Sequence, residues 1–127
     1  MVTFTRPERT TAAAMTVLGA FQAALAAGAP WARAAYGGSH YGTLPSHLRT
    51  ISGMASVAYF SGTVLVIRGS GSPRARRRAF TALSIFMGVG VLANGASRST
   101  MERVLWTPVT AVAAVSSWRS RPQGPAT

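Results

Sequence analysis

Four apolar stretches contain no charged side chain, although this chain of 127 residues carries 13 arginines. A helix needs about 20 mostly apolar residues to cross the hydrocarbon core of a bilayer. The first three stretches approach that length, and the fourth can span if Arg103 and Arg119 extend to the interfaces. The pattern predicts an all-α, polytopic membrane protein, a four-transmembrane-helix bundle forming one domain (1–127). The predicted spans cover about residues 11–29, 50–67, 79–96 and 104–118.

A soluble, alanine-rich helical bundle is the main alternative to this membrane fold. Such a bundle needs a polar face on each helix, and the four stretches offer almost no strongly polar side chains for it. The mean hydropathy of +0.24 is modest, because the loops and the Ala, Ser, Thr and Gly residues of the stretches lower it. We therefore favour the membrane bundle.

The charge of the chain is strongly basic, with a formal net value of +11 from arginines alone and only two glutamates. Arginine without lysine, beside abundant Ala and Gly, is typical of a GC-rich, actinomycete-like bacterial genome. A pI near 12 could indicate nucleic-acid binding, but the arginines lie at the ends of the apolar stretches, where membrane topology explains them. We expect no nucleic-acid partner. The absence of cysteine excludes disulfides and thiolate chemistry.

The arginines also predict an orientation, because cytoplasmic loops carry the excess of positive charge. Four arginines fall in the first and third breaks between stretches, namely Arg33, Arg49, Arg98 and Arg103. Nine fall at the two ends and in the second break, namely Arg6, Arg9, Arg68, Arg74, Arg76, Arg77, Arg78, Arg119 and Arg121. Both termini are therefore predicted to be cytoplasmic, in a bacterial plasma membrane. The cluster Arg74, Arg76, Arg77 and Arg78 is predicted to contact anionic lipid headgroups.

Local signals predict the helix limits. The first ten residues are expected to be frayed, with helix 1 capped by Thr10 or Thr11 and stopped at Gly28 and Pro30. Proline after Ala29 disfavours cleavage of this segment as a signal peptide. Ser99 and Glu102 match a capping box for helix 4, in which Pro108 is expected to kink the helix or mark its first turn. The tail after Trp118 is expected to be disordered.

Small residues recur at every fourth position and predict close helix contacts in lipid. They form three sets, namely Ala20, Ala24 and Gly28 in helix 1, Ser52 and Ser56 in helix 2, and Ala58 and Gly62 in helix 2.

The predicted topology places the first and third breaks on the same outer face. This is the one place where acid, base and imidazole groups could meet. The candidate cluster consists of Trp31, Arg33, His40, His47, Arg49, Asn94, Ser97, Ser99, Glu102 and Arg103. Glu102 is expected to be ionised and paired with an arginine, as a helix cap or as a proton or cation acceptor. Asn94 is expected to cap its helix or to line a polar cavity.

Metal and two-carboxylate chemistry receive little support. His40, His47 and Glu102 could form a His–His–Glu metal site, but no ligand spacing accompanies them, and we predict no metal and no cofactor. Glu8 and Glu102 are the only acids, and the topology puts them on opposite sides of the membrane.

Three strings of residues resemble an uncharacterised family of small bacterial four-helix membrane proteins. They are Gly28-Ala29-Pro30-Trp31; Leu44-Pro45 with Leu48-Arg49; and Asn94 with Ser97, Ser99, Glu102, Arg103, Trp106 and Pro108. The resemblance implies fold and membrane location, and it implies no activity.

Three functions remain open. The first is a non-enzymatic accessory or structural membrane protein, which acts with a larger membrane-protein partner or as a homo-oligomer. The second is a small oligomeric transporter or channel, whose path would be lined by Asn94, Gln22 and the helix serines. The third is a membrane enzyme that uses His40 or His47 as a base, with Arg33 or Arg49 binding an anionic group.

Overall fold

A computed structural model describes residues 4–122, and every regular element within that range is helical. The all-α class is therefore confirmed. The elements are α1 (Arg6–Ala26), two short 3-10 turns (Ala32–Ala34 and Tyr36–Gly38), α2 (Ser46–Arg68), α3 (Pro73–Gly95), a π-helical turn (Glu102–Trp106) and α4 (Thr107–Arg119).

The helices form two antiparallel hairpins that are joined through α1 and α4. One hairpin pairs α1 with α2, the other pairs α3 with α4, and α1 also packs along α4. As a consequence α2 and α3 lie on the two flanks and do not pack against each other along their length. A cleft remains between these two helices, with α1 at its base.

Hydroxyl groups share the interior with apolar side chains, while many large apolar side chains lie on the surface. Hydroxyl side chains are enclosed, and Thr11, Ser52 and Ser117 are each 0% exposed. Large apolar side chains face outward, as in Val57 (68% exposed) and Leu92 (74%). Soluble domains place these residue types the other way round. Helices α2 and α3, of 23 residues each, are long and apolar enough to cross a membrane.

Contacts between helices depend on small residues and hydroxyls. Ser56 of α2 donates a hydrogen bond to the carbonyl of Gly19 in α1 (3.1 Å), and Thr11 of α1 donates to Ser116 of α4 (2.9 Å). Both members of the Ser52–Ser56 set are buried, and Ser56 makes the contact with α1. In the set predicted on α1, Ala20 is exposed, and the neighbouring Gly19 makes the close approach instead, against the ring of Phe60.

The predicted start of helix 1 is also wrong. The helix begins at Arg6, because Thr5 and Glu8 form a capping box: the N–H of Glu8 donates to Thr5 Oγ1 (3.3 Å) and the N–H of Thr5 donates to Glu8 Oε1 (3.1 Å). The frayed segment predicted for the first ten residues is thus ordered from Thr5 onward, and residues 1–3 lie outside the described range. Of the predicted disordered tail, residues 123–127 lie outside it as well.

Helix 4 begins where the sequence predicts, and it contains a π-helical turn on the N-terminal side of Pro108. The N–H of Glu102 donates to Ser99 Oγ (3.4 Å), and helical structure starts at Thr100. Proline has no N–H to donate within the first turn. The backbone widens into a π-turn just before it, where the N–H of Thr107 bonds to the carbonyl of Glu102.

Candidate functional site

Two connections, residues 27–45 and 96–99, are held together by hydrogen bonds at one end of the bundle, which we call the outer end after the predicted topology. Ser99 Oγ donates to the carbonyl of Arg33 (2.5 Å). Trp106 Nε1, in the π-turn, donates to the carbonyl of Ala34 (2.9 Å). These bonds join segments more than 60 residues apart in sequence, on the face where the topology predicts that they meet.

Glu102 is at the centre of this junction. Its side chain is buried (7% exposed) and accepts hydrogen bonds from the N–H of Gly37 (3.2 Å) and from the hydroxyl of Ser97. The prediction that Glu102 pairs with an arginine is wrong, since within residues 4–122 no arginine lies at ion-pair distance from this carboxylate. Arg103, the next residue, donates instead to the carbonyl of Ser97 (2.6 Å) and to Thr100 Oγ1 (3.1 Å).

A cavity of about 320 Å³ opens beside this junction, between α2 and α3. It lies in the outer half of the bundle, and α1 and α4 form its base. Its polar lining is Gln22, Tyr36, Tyr59, Asn94, Glu102 and Thr110, and its aromatic lining includes Phe21, Phe86 and Trp106. The cavity therefore combines one carboxylate with amide and hydroxyl groups inside otherwise apolar walls.

Two amide side chains of the cavity come from opposite sides. Asn94 donates its Nδ2 to the carbonyl of Gly90 in its own helix (2.9 Å). Gln22 Oε1 is buried and has no hydrogen-bond partner among the described residues. A buried acceptor without a donor costs about 1–3 kcal/mol, so a bound donor in the cavity would recover that free energy. The sequence alone singled out Gln22 and Asn94 as path-lining residues, and both line this cavity.

The remaining members of the outer cluster lie outside the cavity. Trp31 stacks on Phe21, with ring centroids 6.2 Å apart. Arg33 covers the ring of Tyr41 at 4.4 Å. Arg49 Nε donates to the carbonyl of Ala26 (3.2 Å) and so secures the end of α1.

The histidines also lie apart from the cavity. His40 contacts Ser39 (3.3 Å), and His47 is exposed at the start of α2. Within the described residues no group of three His, Asp or Glu side chains could hold a metal ion. The histidines and Glu102 therefore do not form the alternative His–His–Glu arrangement.

The opposite end of the bundle carries the arginine cluster. Arg76 is turned inward and forms an ion pair with Glu8, joining the first turns of α3 and α1. It also donates to the carbonyl of Ser70 (3.2 Å). Arg74, Arg77 and Arg78 are exposed. The four arginines predicted as one lipid contact thus divide into one structural residue and three surface residues.

The lining of the outer cavity has groups suited to binding a small molecule. It offers hydrogen-bond acceptors and aromatic faces, while the candidate bases His40 and His47 lie outside it.

Comparison with known proteins finds no matching family model, no matching curated protein and no matching solved structure.

Proposed function

We propose that this chain is a four-helix integral membrane protein of a bacterial plasma membrane, with both termini cytoplasmic and a non-enzymatic, accessory role. One observation carries the proposal: hydroxyl groups are enclosed while large apolar side chains cover the outside. In water that arrangement exposes apolar surface at a cost of about 25 cal/mol per Å². In lipid the same surface is solvated by hydrocarbon, and enclosed hydroxyls such as those of Thr11 and Ser56 bond to neighbouring helices.

Helix lengths support four crossings. Helices α2 and α3 have 23 residues and α1 has 21, which correspond to about 30–35 Å at 1.5 Å per residue. The helical run from Thr100 to Arg119 has 20 residues, so the π-turn gives the fourth segment the length that α4 alone lacks. The nine-to-four distribution of arginines supports the cytoplasmic placement of both ends.

The absence of cysteine from the sequence makes the topology directly testable. Ser39→Cys introduces a thiol in the outer connection, and Ser70→Cys introduces one in the turn between α2 and α3; both serines are exposed. A membrane-impermeant maleimide on intact cells should label Ser39→Cys alone, and Ser70→Cys should react only after lysis. Equal labelling of the two variants, or release of the protein from membranes by alkaline carbonate, would contradict the proposal.

The same outer end supports membership of the family suggested by the three sequence strings. Thr43, just before Leu44, donates to the carbonyl of Gly28 (3.0 Å), and Arg49 bonds to the end of α1. The third string reaches the first connection through Ser99, Glu102 and Trp106. A family defined by these strings would therefore share this junction.

A role as accessory protein predicts a stable partner. Affinity purification from native membranes in a mild detergent should recover a second membrane protein in stoichiometric amount, or a homo-oligomer of this chain. Recovery of the monomer alone would count against this role, provided that Ser39→Cys is still labelled from outside the cell under the same expression conditions.

A second function, binding and carriage of a small molecule, is favoured by the unpartnered Gln22 oxygen in the cavity that Glu102 also lines. Aromatic walls and a single carboxylate suit a lipophilic ammonium ion, whose N–H groups can also donate to Gln22, and radiolabelled 2-phenylethylammonium is a suitable probe. Saturable binding should be lost in Glu102→Gln and Gln22→Leu and retained in His47→Ala, which lies off the cavity. Binding that is absent, or equal in all variants, would overturn this version.

A further inference from the structure

A second cavity lies between α2 and α3 at the opposite, arginine-bearing end of the bundle. It has a volume of about 410 Å³, and its walls are almost entirely apolar. Met15 of α1 forms the base, Leu65 and Val66 form the α2 wall, and Phe80 and Leu83 form the α3 wall. At the end of the bundle it is closed by the turn at Ser70 and Gly71 and by Arg76. We refer to it as the inner cleft.

The inner cleft exists because α2 and α3 do not pack against each other. In a membrane it would open sideways toward the acyl chains of the bilayer. Apolar walls facing a void lose the dispersion contacts that a close-packed neighbour provides. A chain of methylene groups entering from the side would restore them without any polar partner.

The electrostatics at the mouth of the cleft select a charge for that occupant. Arg68 ends α2, and Arg78 lies in α3 next to Ala79, which lines the cleft; both arginines are exposed. Arg77 is directed elsewhere, since it donates to the carbonyl of Pro122 beyond α4 (3.1 Å). Arg76 already has a partner in Glu8, so the uncompensated charge at this end is strongly positive. The N-terminus of α3, capped by Ser72, adds the positive end of its helix dipole.

We propose that an anionic phospholipid binds at this place. One acyl chain lies in the inner cleft, and the phosphate lies among Arg68, Arg78 and the first turn of α3. The inference rests on the proposed membrane insertion, and it is independent of ligand binding in the outer cavity.

The test compares bound lipid by native mass spectrometry, using protein reconstituted in nanodiscs of equal phosphatidylglycerol and phosphatidylcholine. The wild-type chain should retain phosphatidylglycerol at least about fivefold over phosphatidylcholine, which corresponds to about 1 kcal/mol. Arg68→Gln/Arg78→Gln should reduce this preference toward unity. Arg119→Gln/Arg121→Gln removes the same charge from the α4 end, away from the cleft, and should leave it unchanged. No preference in the wild type, or an equal loss in both double variants, would overturn the proposal.

A second pair of variants tests the acyl-chain site. Ala79 lines the cleft and is exposed, whereas Ala82, also exposed on α3, does not line it. Ala79→Phe should fill the cleft and lower lipid retention severalfold, and Ala82→Phe should not. Equal retention by the two would overturn the assignment. Maleimide labelling of Ser39→Cys and Ser70→Cys in the same backgrounds separates failure of the lipid site from failure of membrane insertion.

Discussion

The carboxylate of Glu102 accepts a hydrogen bond from the backbone N–H of Gly37 at 3.2 Å, across a separation of 65 residues. The bond ties the π-turn before α4 to the connection between α1 and α2. Ser97, in the turn after α3, donates to the same carboxylate. One buried acidic side chain therefore links three segments of the outer end, and the outer cavity lies directly beside it.

Replacing Glu102 should destabilise the fold. Glu102→Ala leaves the N–H of Gly37 and the hydroxyl of Ser97 without their acceptor, at an expected cost of about 2–3 kcal/mol. Glu102→Gln keeps one oxygen and should lose less. The free energy of unfolding in mixed micelles measures both, with Arg98→Ala, an exposed neighbour, as the neutral control. A change below about 0.5 kcal/mol in Glu102→Ala would show that the junction does not depend on the carboxylate.

The ion pair between Glu8 and Arg76 should couple the first turns of α1 and α3. Both side chains are largely buried, at 6% and 13% exposed. A double-mutant cycle with Glu8→Gln, Arg76→Gln and the double variant should give a coupling of about 1–3 kcal/mol. Arg74→Gln, two residues away from Arg76 and exposed, should show no coupling to Glu8→Gln. Strict additivity of Glu8→Gln and Arg76→Gln would contradict the pair.

Two adjacent serines of α4 should respond in opposite directions. Ser116 accepts a hydrogen bond from Thr11 (2.9 Å), so Ser116→Ala should cost about 0.5–1.5 kcal/mol. Ser117 is buried and its hydroxyl has no partner among the described residues. Ser117→Ala should therefore be neutral or stabilising, since it removes an unsatisfied polar group. Thermal unfolding of the two variants provides the comparison, and an equal loss in both would refute the assignment.

Two glycines with positive φ should differ in their tolerance of alanine. Gly42 (φ +69°) has open space around it, so Gly42→Ala should cost only about 1–2 kcal/mol of backbone strain. At Gly38 (φ +72°) a Cβ would lie 2.5 Å from the Cβ of Ser99 and 3.1 Å from the carbonyl oxygen of Arg33. Gly38→Ala should therefore cost about 1–3 kcal/mol more. Similar unfolding midpoints for the two variants would mean that Gly38 and Ser99 can move apart without loss of stability.

Much of the outer end could be predicted from the order of segments. Alternate connections of antiparallel helices lie at the same end of a bundle. This rule places Ser99 near Arg33, and the Ser99 side chain does donate a hydrogen bond to the Arg33 carbonyl. The partner of Glu102 could not be predicted, because Arg103 is adjacent in sequence but diverges from Glu102 around the π-turn. The inward position of Arg76 was equally hidden, since it requires Glu8, 68 residues away.

The sequence by itself determined the all-helical class, the approximate positions of the three connections and the asymmetry of charge. These follow from local hydropathy and from helix-stop residues such as Pro30, which act within a few residues of chain. The arginine cluster Arg74, Arg76, Arg77 and Arg78, predicted in the second break, lies in α3. Only the tertiary structure decided that α2 and α3 stay apart, and so that an outer cavity beside Glu102 and an inner cleft beside Arg76 exist. Helix neighbours are chosen by the fit of small residues such as Gly19 against Phe60, and no local pattern contains that fit.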